Sequence, residues 1–225
     1  MADGNPGAGG APVASRRAAD LDVELAVLGG PDGGPSLDLD HERFAYAGKF
    51  VASATGKAVA REVDATDDPG DPGGPGDGDV VAAASFDFDR TDPSVVRIRY
   101  VTVRRDRRGE GLGARLLDFL AEYALGGAGS ISGPTLADVS AVVIAVNNPF
   151  AYEAAYRAGF GYTGERTGLA ELVLARPGDR STAAYRRGLS AFRERDDLDE
   201  AARAFLDERE EAAPPRPLGS ATDPS

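Results

Sequence analysis

The chain has no cysteine, no tryptophan, one methionine and a single histidine, His41. Without cysteine there are no disulfides and no thiolate sites. One histidine excludes a histidine-rich metal centre, and no EF-hand spacing occurs, so no metal is expected. Long apolar runs are missing too. None approaches the ~20 residues of a membrane helix. The stretch from Met1 to Arg17 lacks the apolar centre of a secretory signal. A cytoplasmic location without a membrane partner is therefore expected. Lysine is scarce: of 25 basic residues only Lys49 and Lys57 are lysines.

Acid is abundant. Asp and Glu number 37, and the formal net charge is −12. That field repels polyanions, so no nucleic-acid partner is expected. The acids are spread along the chain rather than gathered in one tail. This reads as adaptation to high salt, a halophilic trait, in preference to the plainer reading of a GC-rich genome. Against this background the arginines at 104, 105, 107 and 108 stand out as a candidate anion site.

With 225 residues, 42% of them hydrophobic, the chain suits one domain with extensions. Residues 1–20 read as a disordered tail. Leu21 to Leu28 alternates with period 2 and predicts a first strand. Asp40 to Phe50 predicts a short helix capped by Asp40, and Lys57 to Val63 an edge strand. Residues 64–79 are almost wholly Asp, Gly and Pro and read as a flexible acidic loop. Val80 to Asp87 and Val95 to Val103 predict a hairpin. Gly111 to Tyr123 carries an apolar stripe at helical spacing. Val139 to Val146 reads as a strand covered on both faces. Pro149 opens a helix that ends at Gly159. Tyr162 to Glu165 and Leu169 to Arg176 predict a last strand pair, which closes the domain at 21–176. A helical extension (177–212) and a loose Pro-rich tail (213–225) follow. Strands and helices alternate only in the middle, so a mixed α+β sheet is expected rather than a doubly wound one.

The richest stretch runs from Val101 to Leu117. A strand enters a basic loop with glycines at 109, 111 and 113, and a helix follows at once. Backbone N–H groups at a helix N-terminus attract an anion, and glycines let a phosphate come close. A P-loop fails here, because Ala114 and Arg115 follow Gly113 where lysine is needed. A dinucleotide fingerprint fails too. The next strand ends Val146-Asn147-Asn148-Pro149, with no acid for a ribose.

A third pattern fits. Arg108, Gly111 and Gly113 have the spacing of the acyl-CoA pyrophosphate loop: Arg or Gln, two residues, Gly, one residue, Gly or Ala. A second motif is in register with it, formed by Asn148, Ala151, Gly159 and Phe160. Together they resemble the GNAT superfamily of N-acetyltransferases. The element order of residues 21–176 is similar to that family's. The resemblance implies a three-layer α+β fold. Its sheet would be mixed, mostly antiparallel and twisted, with helices on both faces and a V-shaped splay between the two central strands.

The resemblance also implies acetyl-CoA as donor and a small-molecule or protein amine as acceptor. The pyrophosphate would lie on the N–H groups of Arg108, Gly109, Glu110, Gly111, Leu112, Gly113 and Ala114. Arg104, Arg105 and Arg107 would screen phosphates. Val101 and Val103 would bind pantetheine, with the Val103 N–H polarising the thioester carbonyl. Asn148 would hold the pantetheine arm; read alone, it is a helix cap. Many family members carry a Tyr general acid seven residues after the Asn, where this chain has Ala155. Tyr156 and Tyr152 are the substitutes on offer, Tyr156 first; its plain reading is packing beside Phe160. The base is open among Asp87, Asp89, His41, Glu165 and Glu171. The competing function is a silent CoA-binding module, with the C-terminal helices forming a homodimer or holding a partner.

Overall fold

A computed structural model describes residues 12–52, 54–63, 80–126, 136 and 138–218. The acidic loop expected at 64–79 lies outside the described residues, as do both chain ends. The strands are β1 (Ala14–Ala18), β2 (Val23–Val27), β3 (Gly56–Glu62), β4 (Val80–Phe88), β5 (Val95–Val103), β6 (Ala141–Val146), β7 (Gly161–Arg166) and β8 (Leu172–Arg176). The helices are α1 (Leu112–Ala124), α2 (Pro149–Arg157), α3 (Thr182–Arg193) and α4 (Glu200–Asp207).

All eight strands form one sheet in the order β1-β2-β3-β4-β5-β6-β8-β7. Only β5 and β6 run parallel, joined by the α1 crossover; every other pair is antiparallel. Alternation divides the side chains between two layers. Leu25, Ala58, Ala84, Phe86, Ile98 and Ile144 share one buried cluster with side chains from all four helices. Their neighbours Ala26, Val59 and Ala83 face the other way, onto Leu37, Leu39, Phe44, Ala47 and Phe50. On that second face lies a 3₁₀ turn, Ala47–Lys49, and the 3₁₀ turn Arg105–Arg107 adjoins it through the Arg105 N–H, which bonds the Arg43 carbonyl at 3.0 Å.

The splay has a local cause. β5 and β6 pair from Val95↔Ala141 to Ile98↔Ile144 and then part. At the same place β4 pairs Ser85 with Tyr100 but Phe86 with Ile98, which leaves Arg99 as an extra residue on β5. A bulge of this kind bends its strand. Beyond Ile98, β5 continues along β4 alone to Val103.

Several expectations need correction. Within the tail expected at 1–20, Ala14–Ala18 adds a strand to β2. Ala14 and Ala18 are buried and Arg16 bonds Glu122 on α1, so two arginines disguise a strand with an apolar inner face. The helix expected at 40–50 is a series of turns. Asp40 does cap, taking the Glu42 N–H at 2.8 Å, but Tyr46 turns left-handed at φ 59° and breaks the run. The strand expected at the edge, Lys57 to Val63, lies between β2 and β4. Lys57 is fully buried there because Nζ donates to the Ala52 and Thr55 carbonyls, each at 2.7 Å, and to Thr55 Oγ1 at 2.8 Å. Burial pulls its pKa below the ordinary lysine value. The C-terminal segment stays attached as far as Leu218. The Leu218 N–H bonds the Arg157 carbonyl at 2.8 Å, and Arg180 bonds that of Pro215 at 2.7 Å.

Candidate functional site

Three of the four helices are capped by side chains. Asn148 Oδ1 takes the Ala151 N–H at 2.8 Å on α2, Ser181 Oγ the Ala184 N–H at 3.2 Å on α3, and Asp199 Oδ1 the Ala202 N–H at 2.7 Å on α4. Helix α1 begins on Gly111, which has no side chain to offer. Gly109 and Gly111 hold φ of 88° and 87°, a region costly for any other residue. A Cβ at either would meet no protein atom within 4 Å, so the loop surface is open there. The third glycine differs: a Cβ on Gly113 would rest 3.5 Å from Val103 Cγ2, an ordinary contact.

From Arg108 to Ala114, no backbone N–H finds an acceptor among the described residues. Seven successive donors at the positive end of α1 are a candidate anion cradle. The end of β5 lies against it. Arg108 Nε reaches the Val103 carbonyl at 3.4 Å. The Arg104 N–H bonds Val81 on β4 at 2.8 Å. Strand alternation then turns the Val101 and Val103 amides away from β4, toward the open side of the splay.

The arginines of the loop have different partners. Arg104 is buried, with Nε 2.8 Å from Asp106 and Nη2 2.9 Å from Glu62. Burial opposes its charge, but the bonds to Asp106 and Glu62 outweigh this and raise its pKa. Burial would raise Glu62 as well; Arg104 and then Arg107 reverse that and hold its carboxyl below the usual value. Arg107 is bound to Glu62 and, at 2.7 Å, to Glu110. Arg104 and Arg107 thus brace the loop through Glu62, a residue that no pattern in the sequence marks. Arg105 and Arg108 have no ion pair among the described residues.

Residues 44–132 match the acetyltransferase (GNAT) family. That segment, less than half of the chain, is similar to the GNAT acetyltransferases. The match spans β3 to α1, with the cradle and the bulged strand, and ends before Asn148. No curated protein matches the chain. Solved structures similar to it include an IAA acetyltransferase from Bacillus cereus, 18% identical over 54% of this chain and 76% of that one, TM-score 0.35. Another is an acetoin utilization protein from Exiguobacterium sibiricum, 13% identical over 82% of this chain and 86% of that one, TM-score 0.38. A third is an AtaT toxin variant bound to acetyl-CoA and the C-terminus of its antitoxin AtaR. It is 14% identical over 68% of this chain and 92% of that one, TM-score 0.38.

The remaining candidates are placed as follows. Asn148 stands at the end of β6, across the splay from β5; its Oδ1 serves as the α2 cap and its Nδ2 donates to Asn147 Oδ1 at 3.0 Å. Tyr156 is fully buried. Its hydroxyl accepts the Tyr162 N–H at 3.0 Å, and its ring meets Tyr152 and Tyr185 at centroid distances of 4.9 and 4.8 Å. Burial raises its pKa above the ordinary tyrosine value. The packing role therefore accounts for Tyr156, and the general-acid role is not carried forward. Tyr152 is equally enclosed and donates to the Tyr185 carbonyl at 3.1 Å. Ala155, in the place of the family tyrosine, is buried too.

The candidate bases also separate. Asp87 and Asp89 are paired with Arg99 and Arg97 across the β4–β5 hairpin. Hydrogen bonds from the Thr91 side chain and backbone, then from Arg97, hold Asp89 far below the carboxylate range. Glu171 takes the Thr167 hydroxyl at 3.2 Å, and Glu165 is exposed on β7. His41 lines an opening formed with Phe44, Tyr46, Lys49 and Arg105. Among the described residues no cluster of His, Asp or Glu is arranged to hold a metal ion, and no helix is long and apolar enough to cross a membrane.

Proposed function

We propose that the chain moves an acetyl group from acetyl-CoA to an amine by direct attack. The observation that carries this reading is the run of seven unpartnered amides from Arg108 to Ala114, at the mouth of a splay between parallel strands. A diphosphate would find main-chain donors there, with Arg108 beside them. The pantetheine arm would run into the splay along Val101 and Val103, and the Asn148 amide would border it. The amine nitrogen forms its bond to the thioester carbonyl carbon. Negative charge then grows on the carbonyl oxygen, where the Val103 N–H stabilises it. The C–S bond breaks, and the thiolate takes up the proton the nitrogen sheds, relayed by water. No side-chain acid is required by this route.

A second reading, a CoA-binding module without turnover, draws on the burial of Ala155 and the engaged hydroxyl of Tyr156. A role of α3 and α4 in joining copies has less to draw on. Their apolar residues Tyr185, Leu189, Phe192 and Leu206 are already buried within the chain. Transfer of isotopically labelled acetyl to an amine panel separates the readings. Transfer that disappears in Gly111→Val supports the enzyme. CoA binding without transfer supports the module, and absence of CoA binding refutes both.

A further inference from the structure

Across the sheet from α1, a cavity of about 390 Å³ opens between residues 41–49 and Arg105. His41, Phe44, Tyr46, Lys49 and Arg105 line it. It is wide and open to solvent, with a volume at the lower end of small-molecule sites. Two exposed aromatic rings stand beside it. Tyr46 is 57% exposed and faces Tyr100, 37% exposed, at a centroid distance of 6.3 Å. Tyr46 holds φ of 59° and ψ of 20°, a conformation that bulky side chains rarely adopt. Such strain gathers at ligand sites. Lys49 Nζ lies 5.6 Å from the centre of the Tyr100 ring.

The charge of this cavity runs against that of the molecule. His41, Lys49 and Arg105 form no ion pair among the described residues, whereas Arg104 and Arg107 of the adjoining loop are braced by Glu62. The nearby acids are otherwise engaged or turned outward. Asp106 is bonded to Arg104, Asp40 takes the Glu42 N–H, and Glu42 is exposed. Two cations without an ion pair, Lys49 and Arg105, at one opening of a −12 chain attract an anion locally while the rest of the surface repels it.

Position completes the case. The cavity adjoins the face opposite the cradle, so a ligand there would not compete with one held on α1. Arg105 is two residues beyond Val103 and Tyr100 three before it, so the cavity and the candidate carbonyl donor share one end of β5.

We infer that this cavity is the acceptor pocket, and that the acceptor is an amine with a flat apolar body that also carries a carboxylate or another anionic group. The body would lie on Tyr46 and Tyr100, and the anion would meet Lys49 and Arg105. This rests on the acetyltransferase reading given above.

The test is calorimetric, on the full chain saturated with CoA. The ligands are L-phenylalanine, L-tryptophan and L-histidine, each matched with its decarboxylated amine, and spermidine as a cationic amine. At least one amino acid is expected to bind about tenfold or more tighter than its decarboxylated amine, as a charge-assisted contact would give. The variant Lys49→Glu changes one exposed side chain and should erase that difference while CoA affinity stays the same. Binding no tighter than the decarboxylated amines, or a preference for spermidine, overturns the inference. A loss of CoA affinity in Lys49→Glu that vanishes with 3′-dephospho-CoA would assign Lys49 to the donor and overturn it too. Failure of CoA itself to bind would instead strike the acetyltransferase reading.

Discussion

Gly111→Val perturbs the cradle while leaving the core alone. The residue sits at φ 87° and ψ 1°, where a β-branched side chain is strained by about 1–2 kcal/mol. The new Cβ meets no protein atom within 4 Å, so no clash adds to that strain. In a domain of this size the expected cost is a fall in Tm of a few degrees. Binding suffers more. The side chain stands over the amides that would face the diphosphate. Losing two charge-assisted hydrogen bonds, at about 1.5 kcal/mol or more each, weakens CoA roughly a hundredfold. Gly164→Val is the matched control. Gly164 has φ of 90° and equally open surroundings, but lies on β7, away from the loop. Thermal melts and CoA titrations on both variants form the assay. Similar melting losses with weakened CoA in Gly111→Val alone are expected. Unchanged CoA affinity in Gly111→Val, or equal weakening in both, would refute the reasoning.

Arg104→Ala should cost about 2 kcal/mol of stability, a buried ion-pair value discounted because Glu62 is 39% exposed; Arg108→Ala should leave the melt unchanged and weaken CoA. Denaturant titration and calorimetry would tell the two arginines apart, and the opposite assignment would show that Arg104 serves the ligand. Tyr156→Phe removes the acceptor of a buried N–H and should destabilise by about 1–3 kcal/mol, with no change in transfer rate per folded molecule; a large fall in kcat at normal stability would restore the hydroxyl to the chemistry. Asp89 has a folded pKa below its ordinary 3.8, so its stabilisation is full above that pH and fades as pH falls beneath it. The Tm gap between the native chain and Asp89→Asn should therefore narrow between about pH 7 and pH 3, and a constant gap would contradict the ion pair.

The central elements were legible because period and punctuation agreed. β5, the glycine loop and α1 carry a strand alternation, a break and a helical stripe in sequence, and the structure places them within a residue or so of expectation. The outer strand β1 was hidden because Arg16 and Arg17 look like a solvated tail, while the burial of Ala14 and Ala18 depends on partners far along the chain. Lys57 suggested an edge for a related reason. Its charge is tolerated inside only because the turn at 52–55 folds back to supply carbonyls. Asn148 and Tyr156 show the limit for single residues. Each type suits both a ligand role and a structural one, and the deciding hydrogen bonds, to Ala151 and Tyr162, are visible only in three dimensions. The bracing of Arg104 and Arg107 by Glu62 spans more than 40 residues and left no local trace.

Amide hydrogen exchange of the full chain with and without CoA bears most directly on the cradle. Unpartnered N–H groups exchange freely, so residues 108–114 should be unprotected in the free protein. Saturating CoA should slow exchange across that run, and pantetheine, which lacks the diphosphate, should leave it fast. Protection of these amides before any ligand is added, or no slowing with CoA, would contradict the account.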